Sequence, residues 1–191
     1  MNDLAYSYDL TDEPDYEIID GQTYMMARPN VNHDRVQANV RRIFDNYLKG
    51  KRCRTFGEVD VFLSDDDNVI PDVMIVCNPD IIKKRGIFGT PDLIVEILSP
   101  STAHKDRIMK LAVYEKYGVK EYWIISPEAK SVDVYILKDS KLILDEVYYI
   151  YPDYELDRLN ERQKALVKRE IKVSLYDDFY VKLDDIFEYI D

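Results

Sequence analysis

Two carboxylates lie inside runs of apolar residues, where strands would bury them. Asp72 falls in Val69–Cys77 (VIPDVMIVC) and Glu96 in Pro91–Leu98 (PDLIVEIL). Burying an unpaired carboxylate costs on the order of several kcal/mol, so each must be partnered, metal-bound or protonated. Strand alternation puts Asp72, Met74 and Val76 on one face, and Asp92, Ile94, Glu96 and Leu98 on one face of the second run. If these strands are neighbours in register, the two carboxylates converge. Hard divalent ions such as Mg²⁺ or Mn²⁺ are bound by such oxygen clusters. An ion there polarises a phosphoryl oxygen and activates water. The competing reading is structural, with Asp72 bonded to a turn after Pro71 and Glu96 paired with a buried base.

The segment after Glu96 adds a cation. A helix is expected from about Ala103 to Tyr117, capped by Ser101 and Thr102 and ended by Gly118. Asp106, Lys110 and Tyr114 follow at i, i+4 and i+8 and share one side of it. That side can face the carboxyl end of the Glu96 strand, where ligands gather in α/β sheets. There Lys110 would neutralise the carboxylates, orient water or stabilise phosphoryl charge. Otherwise it makes only a surface pair with Asp106, worth ~0.3–0.5 kcal/mol.

Other candidates carry less. His33 precedes Val36 by three residues on a helix expected from about Asn32 to Leu48, so it belongs to the buried stripe with Val40, Ile43, Phe44 and Tyr47. A histidine there is more often a core residue than a base. Glu58 and Asp60 share one face of a strand read over Phe56–Leu63, and either could add a metal ligand or lie exposed. His104 is expected at the surface. No His/Cys cluster suggests zinc, and no Walker A loop, G-x-G-x-x-G or G-x-S-x-G occurs.

The remaining elements frame these residues. Tyr16–Ile19 and Gln22–Met26 flank Asp20-Gly21, a hairpin turn signal. Glu121–Ser126, Val132–Leu137 and Leu142–Ile150 read as strands. Strand, helix and strand across Pro91–Ser126 imply a right-handed parallel crossover, and the hairpins elsewhere imply a mixed sheet. Residues 154–170 are charged and helix-prone, and Lys172–Phe187 returns to short apolar pieces. The length of 191 residues suits one domain.

Charge is uneven. The formal net charge is −11, which argues against a protein that coats nucleic acid without specificity. Residues 1–27 hold seven acids and no base, whereas residues 28–54 hold eight bases and two acids. No apolar run reaches the ~18–20 residues of a membrane span. The acidic opening lacks the apolar core of a signal peptide. Cys53 and Cys77 have no metal-type spacing, so reduced thiols in a cytoplasmic protein are expected.

Taken in order, several strings resemble a known set. They are Tyr16-Glu17-Ile18-Ile19-Asp20-Gly21, His33, Pro71-Asp72-Val73-Met74, the run from Pro91 to Thr102, Asp106, Lys110, Tyr114, Gly118-Val119 and Glu121-Tyr122-Trp123-Ile124. They resemble the small bacterial proteins described as putative restriction endonucleases, a branch of the PD-(D/E)XK nuclease superfamily. The resemblance spans roughly residues 15–137 and the C-terminal piece Lys172–Phe187, with 154–170 read as a helical insertion. It implies an α/β fold, a restriction-endonuclease-like mixed β-sheet flanked by helices, with one Mg²⁺ or Mn²⁺ site. Asp72 and Glu96 match the two acidic positions, and a backbone carbonyl near Ile97 would assist them as a metal ligand. The lysine usual two positions later is Leu98 here, and Lys110 takes the place of a lysine supplied by the following helix. His33 and Asp60 match positions near the site.

The leading expectation is therefore a metal-dependent DNA endonuclease. Asp72, Glu96, Lys110 and His33 would do the chemistry, and Tyr114 would contact phosphate or support the residues that do. Arg41, Arg42, Lys83 and Lys84 would hold the DNA backbone. A two-fold homodimer would bring two sites to two strands. The rival is a catalytically silent nucleic-acid- or protein-binding module on the same scaffold, which the acidic net charge favours. A metal-dependent phosphatase for small acidic substrates is the third reading.

Overall fold

A computed structural model describes residues 16–99 and 103–190. Strands β1 (Tyr16–Ile19) and β2 (Gln22–Met25) form the expected hairpin, and Asp20 and Gly21 both have positive φ at its turn. Helix α1 (Val31–Leu48) follows, with the Asn30 side chain accepting from the His33 amide as its N-cap. Short strands β3 (Arg54–Phe56), β4 (Val61–Phe62) and β5 (Asn68–Val69) come next. They are followed by β6 (Val73–Val76), β7 (Ile82–Lys83), β8 (Gly86–Phe88) and β9 (Leu93–Ile97). A π-turn over Lys105–Lys110 leads into α2 (Leu111–Lys116). Then come β10 (Glu121–Ser126), β11 (Ser131–Lys138) and β12 (Lys141–Tyr149). The chain ends with one-turn helices α3 (Asp153–Leu156) and α4 (Glu161–Lys164), strands β13 (Glu170–Lys172) and β14 (Tyr180–Lys182), and α5 (Leu183–Ile186).

The central sheet runs β12-β11-β10-β9-β6-β3. Only β9 and β10 are parallel, as expected for strands joined through a helix; the other pairs are antiparallel. A smaller sheet runs β2-β1-β5-β4-β8-β7. The fold is thus mixed α/β with more than one mixed sheet. Alternation gives the central sheet two apolar faces. Val73, Ile75, Leu93, Val95, Ile97 and Trp123 join α1 and the C-terminal elements in one core. Met74, Val76, Ile94, Tyr122 and Ile124 join α2 and the small sheet in the other.

Several expected elements are divided. The run Phe56–Leu63 is split between β3 in the central sheet and β4 in the small one, so Glu58 and Asp60 share no strand face. Gly57 marks the break, since a Cβ there would lie 2.5 Å from the Asp72 carbonyl oxygen. Val69–Cys77 is likewise split around Pro71, which has no amide hydrogen to give a ladder. Residues 154–170 hold two separate helical turns, not one helix. The acidic segment before Tyr16, and Ser101 and Thr102 as helix caps, lie outside the described residues.

The expectation of reduced thiols is not met, because Cys53 and Cys77 form a disulfide. They continue the β3–β6 register one step beyond Arg54 opposite Val76, an adjacency their 24-residue separation hides in sequence. Among the described residues no helix is long and apolar enough to cross a membrane.

Candidate active site

Register does the first part of the assembly. In the antiparallel β6–β9 pair Val73 lies opposite Val95, so Asp72 and Glu96 come next, facing each other. Both are buried, at 8% and 2% exposure. They point to the side of Met74 and Ile94, toward the small sheet and the π-turn. The Ile97 amide donates to Asp72 Oδ2 at 2.6 Å, and His33 Nε2 lies 3.3 Å from the same oxygen. Gln37, one turn after His33, donates to the Asp72 carbonyl at 3.0 Å. The first acid is therefore fixed by β9 and by α1 together.

Glu96 is held from the helical side. Its Oε1 accepts from Lys110 Nζ at 2.9 Å and from the Tyr114 hydroxyl at 2.5 Å. Lys110 Nζ also lies 2.6 Å from Glu17 Oε1 and 3.8 Å from Asp106 Oδ1. Glu17, on β1, is fully buried, and its other oxygen binds Lys105 Nζ at 2.5 Å. The Ile70 amide donates to Glu17 as well.

The π-turn makes this meeting possible. Residues five apart on an α-helix point about 140° away from each other. The wider i→i+5 turn of a π-helix brings them closer to one side. Lys105 and Lys110 are five apart and grip the two oxygens of one carboxylate. The Tyr122 hydroxyl, from β10, donates to the Asp106 carbonyl at 2.9 Å and fixes the turn against the sheet.

The electrostatics are those of a site rich in acid. Burial pushes the Glu96 carboxyl well above its ordinary range; Lys110 pulls it down, and Asp72, Asp106 and Glu17 push it up again. Burial alone would strip the proton from Lys110, but the charges of Glu96, Glu17, Asp106 and Asp72 hold it firmly protonated. Burial raises Glu17 too, yet the charges and hydrogen bonds of Lys110 and Lys105 leave it below the ordinary value. For His33, burial works downward, and the bond to Asp72 with the charges of Asp72, Glu58 and Asp106 outweighs it, so its pKa is raised.

These groups border a cavity of about 60 Å³ lined by Asp72, Glu96, Ile97, His33, Lys105 and Lys110, with Glu17, Asp106 and Glu58. Oδ1 of Asp72 and Oε2 of Glu96 take no part in the bonds given above. Among the described residues no three His, Cys, Asp or Glu side chains form a ready metal-ligand set. Two carboxylates still suit Mg²⁺, which keeps much of its water shell and is often held by one or two protein carboxylates. A divalent cation would also offset the neighbouring acids that add to burial in raising the Glu96 pKa. The donor set therefore fits such an ion.

Not every residue expected at the site reaches it. Tyr114 is wholly buried and does not line the cavity; its hydroxyl donates to Glu96. Arg42 is turned to the C-terminal end, where it pairs with Glu188 at 2.5 Å. Arg41 instead lies beside Gly57, next to the Asp72 backbone. Lys83 and Lys84 are exposed in the β7–β8 turn and line a neighbouring cavity that shares Glu58 with the first. Asp60 lines that second cavity and not the first, and accepts from Asn68. Glu17 and Lys105 were missed, although alternation in Tyr16–Ile19 places Glu17 with buried Ile19.

Comparison with known proteins bears on the whole chain. Residues 3–166 match the model of a family described as Uma2, putative restriction endonuclease. An uncharacterized protein of Synechocystis sp. is 30% identical over 128 residues, which span 65% of this chain and 67% of that one. The crystal structure of a putative nuclease belonging to DUF820 from Anabaena variabilis superposes with a TM-score of 0.71. That match covers 93% of this chain and 92% of the other at 22% identity, a likeness of fold.

Proposed function

This chain belongs to the Uma2 family of putative restriction endonucleases, and on that premise we propose that it is a divalent-metal-dependent DNA endonuclease of the PD-(D/E)XK kind. The observation that carries the reading is the facing pair Asp72 and Glu96 beside the Lys110 ammonium, all lining one cavity.

Asp72 and Glu96 would hold Mg²⁺ or Mn²⁺, with the Ile97 carbonyl as the backbone ligand expected from the sequence. When bound, the ion supplies Lewis-acid activation of the phosphoryl group and of water. Lys110 keeps Glu96 in place and balances its charge. Tyr114 fixes the orientation of the same carboxylate. His33 holds Asp72 through Nε2, and its Nδ1 has no partner among the described residues. The role of His33 is to hold Asp72 in place for the ion. Arg41, Lys83 and Lys84 take the DNA backbone, and a two-fold dimer supplies a site for each strand.

The test is nicking of supercoiled plasmid with Mg²⁺ or Mn²⁺. Cleavage that depends on the ion and disappears in Asp72→Asn and Glu96→Gln, with unchanged circular dichroism, supports the reading. Absence of metal-dependent cleavage of plasmid and single-stranded DNA overturns it. Cleavage confined to RNA or to a phosphate monoester would reassign the substrate.

A further inference from the structure

We propose that Lys105 is the cation that meets the substrate phosphate, presented over the cavity by the π-turn and held there by Glu17. The proposal rests on the nuclease reading and adds a residue to it.

Lys110 has little left to offer a substrate. An ammonium has three donors. Around Lys110 stand three carboxylates, Glu17 at 2.6 Å, Glu96 at 2.9 Å and Asp106 at 3.8 Å, and its side chain is only 3% exposed. Pulling it toward a phosphate would strip Glu96 and Glu17 of their counter-charge inside the protein. Lys105 differs on each point. It lines the same cavity, its side chain is 13% exposed, and its ion pair is with Glu17. Glu17 is its one ion-pair partner among the described residues, which leaves N–H donors for an incoming phosphate.

Glu17 separates the two roles. Being fully buried, it cannot reach solvent itself, and both lysines keep it ionised. One oxygen anchors Lys110 at Glu96, and the other steers Lys105 toward the cavity. In an uninterrupted α-helix the two amines would diverge, so the π-turn is what gives one carboxylate two lysines.

The experiment measures binding and turnover together. Fluorescence anisotropy of a short labelled DNA duplex, with Ca²⁺ replacing Mg²⁺, is followed over a salt series. Lys105→Ala should weaken binding and lower the slope of log affinity against log salt by about 1, the loss of one phosphate contact. Under Mg²⁺ it should lower kcat/KM by about 10²-fold. Lys105→Arg should restore the slope and most of the turnover, which separates a phosphate contact from a role in folding. Lys138→Ala, which removes an exposed partner of Asp145, should change neither. If the wild-type chain binds and cleaves DNA and folded Lys105→Ala does both equally well, the assignment is overturned and the nuclease reading stands. If the wild-type chain neither binds nor cleaves DNA, both are overturned.

Discussion

Glu96 and Glu121 sit on adjacent parallel strands, β9 and β10, and both are buried acids. Burial lifts the pKa of each. Their surroundings differ completely. Glu121 points into the core shared with α1, where Trp123 Nε1 donates to one oxygen at 2.6 Å. Its other oxygen accepts from the Ser174 amide at 2.7 Å and hydroxyl at 2.5 Å. Neutral donors satisfy it, and it serves to clasp the C-terminal segment to the sheet. Glu96 points the other way, toward a second carboxylate, an ammonium and a cavity. Burial and a raised pKa are thus common to a structural acid and a candidate catalytic one. Convergent charge around an open volume is what tells them apart.

The largest expected contrast is in rate. Glu96→Gln should lower plasmid nicking by about 10³-fold, the scale of losing an electrostatic group at a reacting centre. Its fold should be kept, because Gln retains an oxygen for the Lys110 and Tyr114 donors and Glu17 still neutralises Lys110. Glu121→Gln should leave the rate per folded molecule unchanged. Equal rate losses in both would erase the distinction.

Stability should show the reverse order. Glu121→Ala leaves the Trp123 and Ser174 donors without their acceptor, at about 1–3 kcal/mol for each buried group left unpaired. Urea unfolding measures that loss, and nicking by the folded fraction should persist. Tyr114→Phe is a smaller change. It frees Glu96 from one donor, and about a 10-fold fall in kcat with little change in KM is expected, as for groups that orient a metal ligand.

The smallest effect is in pH dependence. An acid whose folded pKa is raised binds its proton more tightly in the folded state. Its stabilising share is intact at low pH and is lost as pH rises from the ordinary value of 4.5 through the folded value. Metal-free protein should lose stability across that window at both Glu96 and Glu121. Mg²⁺ should remove the Glu96 part alone, so urea melts with and without the ion should differ in wild type and coincide in Glu96→Gln. Glu17 has the opposite sign. Its pKa is lowered, so its contribution is present above the ordinary value and disappears as pH falls through the folded one.

Local pattern carried a good part of this molecule. The β1–β2 hairpin, α1 with His33 on its inner stripe, and β9 and β10 all follow from turn residues and apolar spacing. It failed at Phe56–Leu63 and Val69–Cys77, where one apolar run serves two sheets; the approach of Gly57 to Asp72 marks the first division and Pro71 the second. Nor could the i+8 spacing from Asp106 say how deep Tyr114 lies; it is wholly buried against Glu96.

The amino-acid order by itself determined which strand faces carry Asp72 and Glu96, and that a lysine-bearing helical segment follows. Alternation and helical repeat act over a few neighbouring residues and need no partner. Tertiary structure alone decided that Glu17 enters the site, that Lys105 and Lys110 share it, and that Cys53 meets Cys77. Those meetings depend on how sheets dock and where a helix widens by one residue, and the free energy that settles them comes from burial shared across the whole fold.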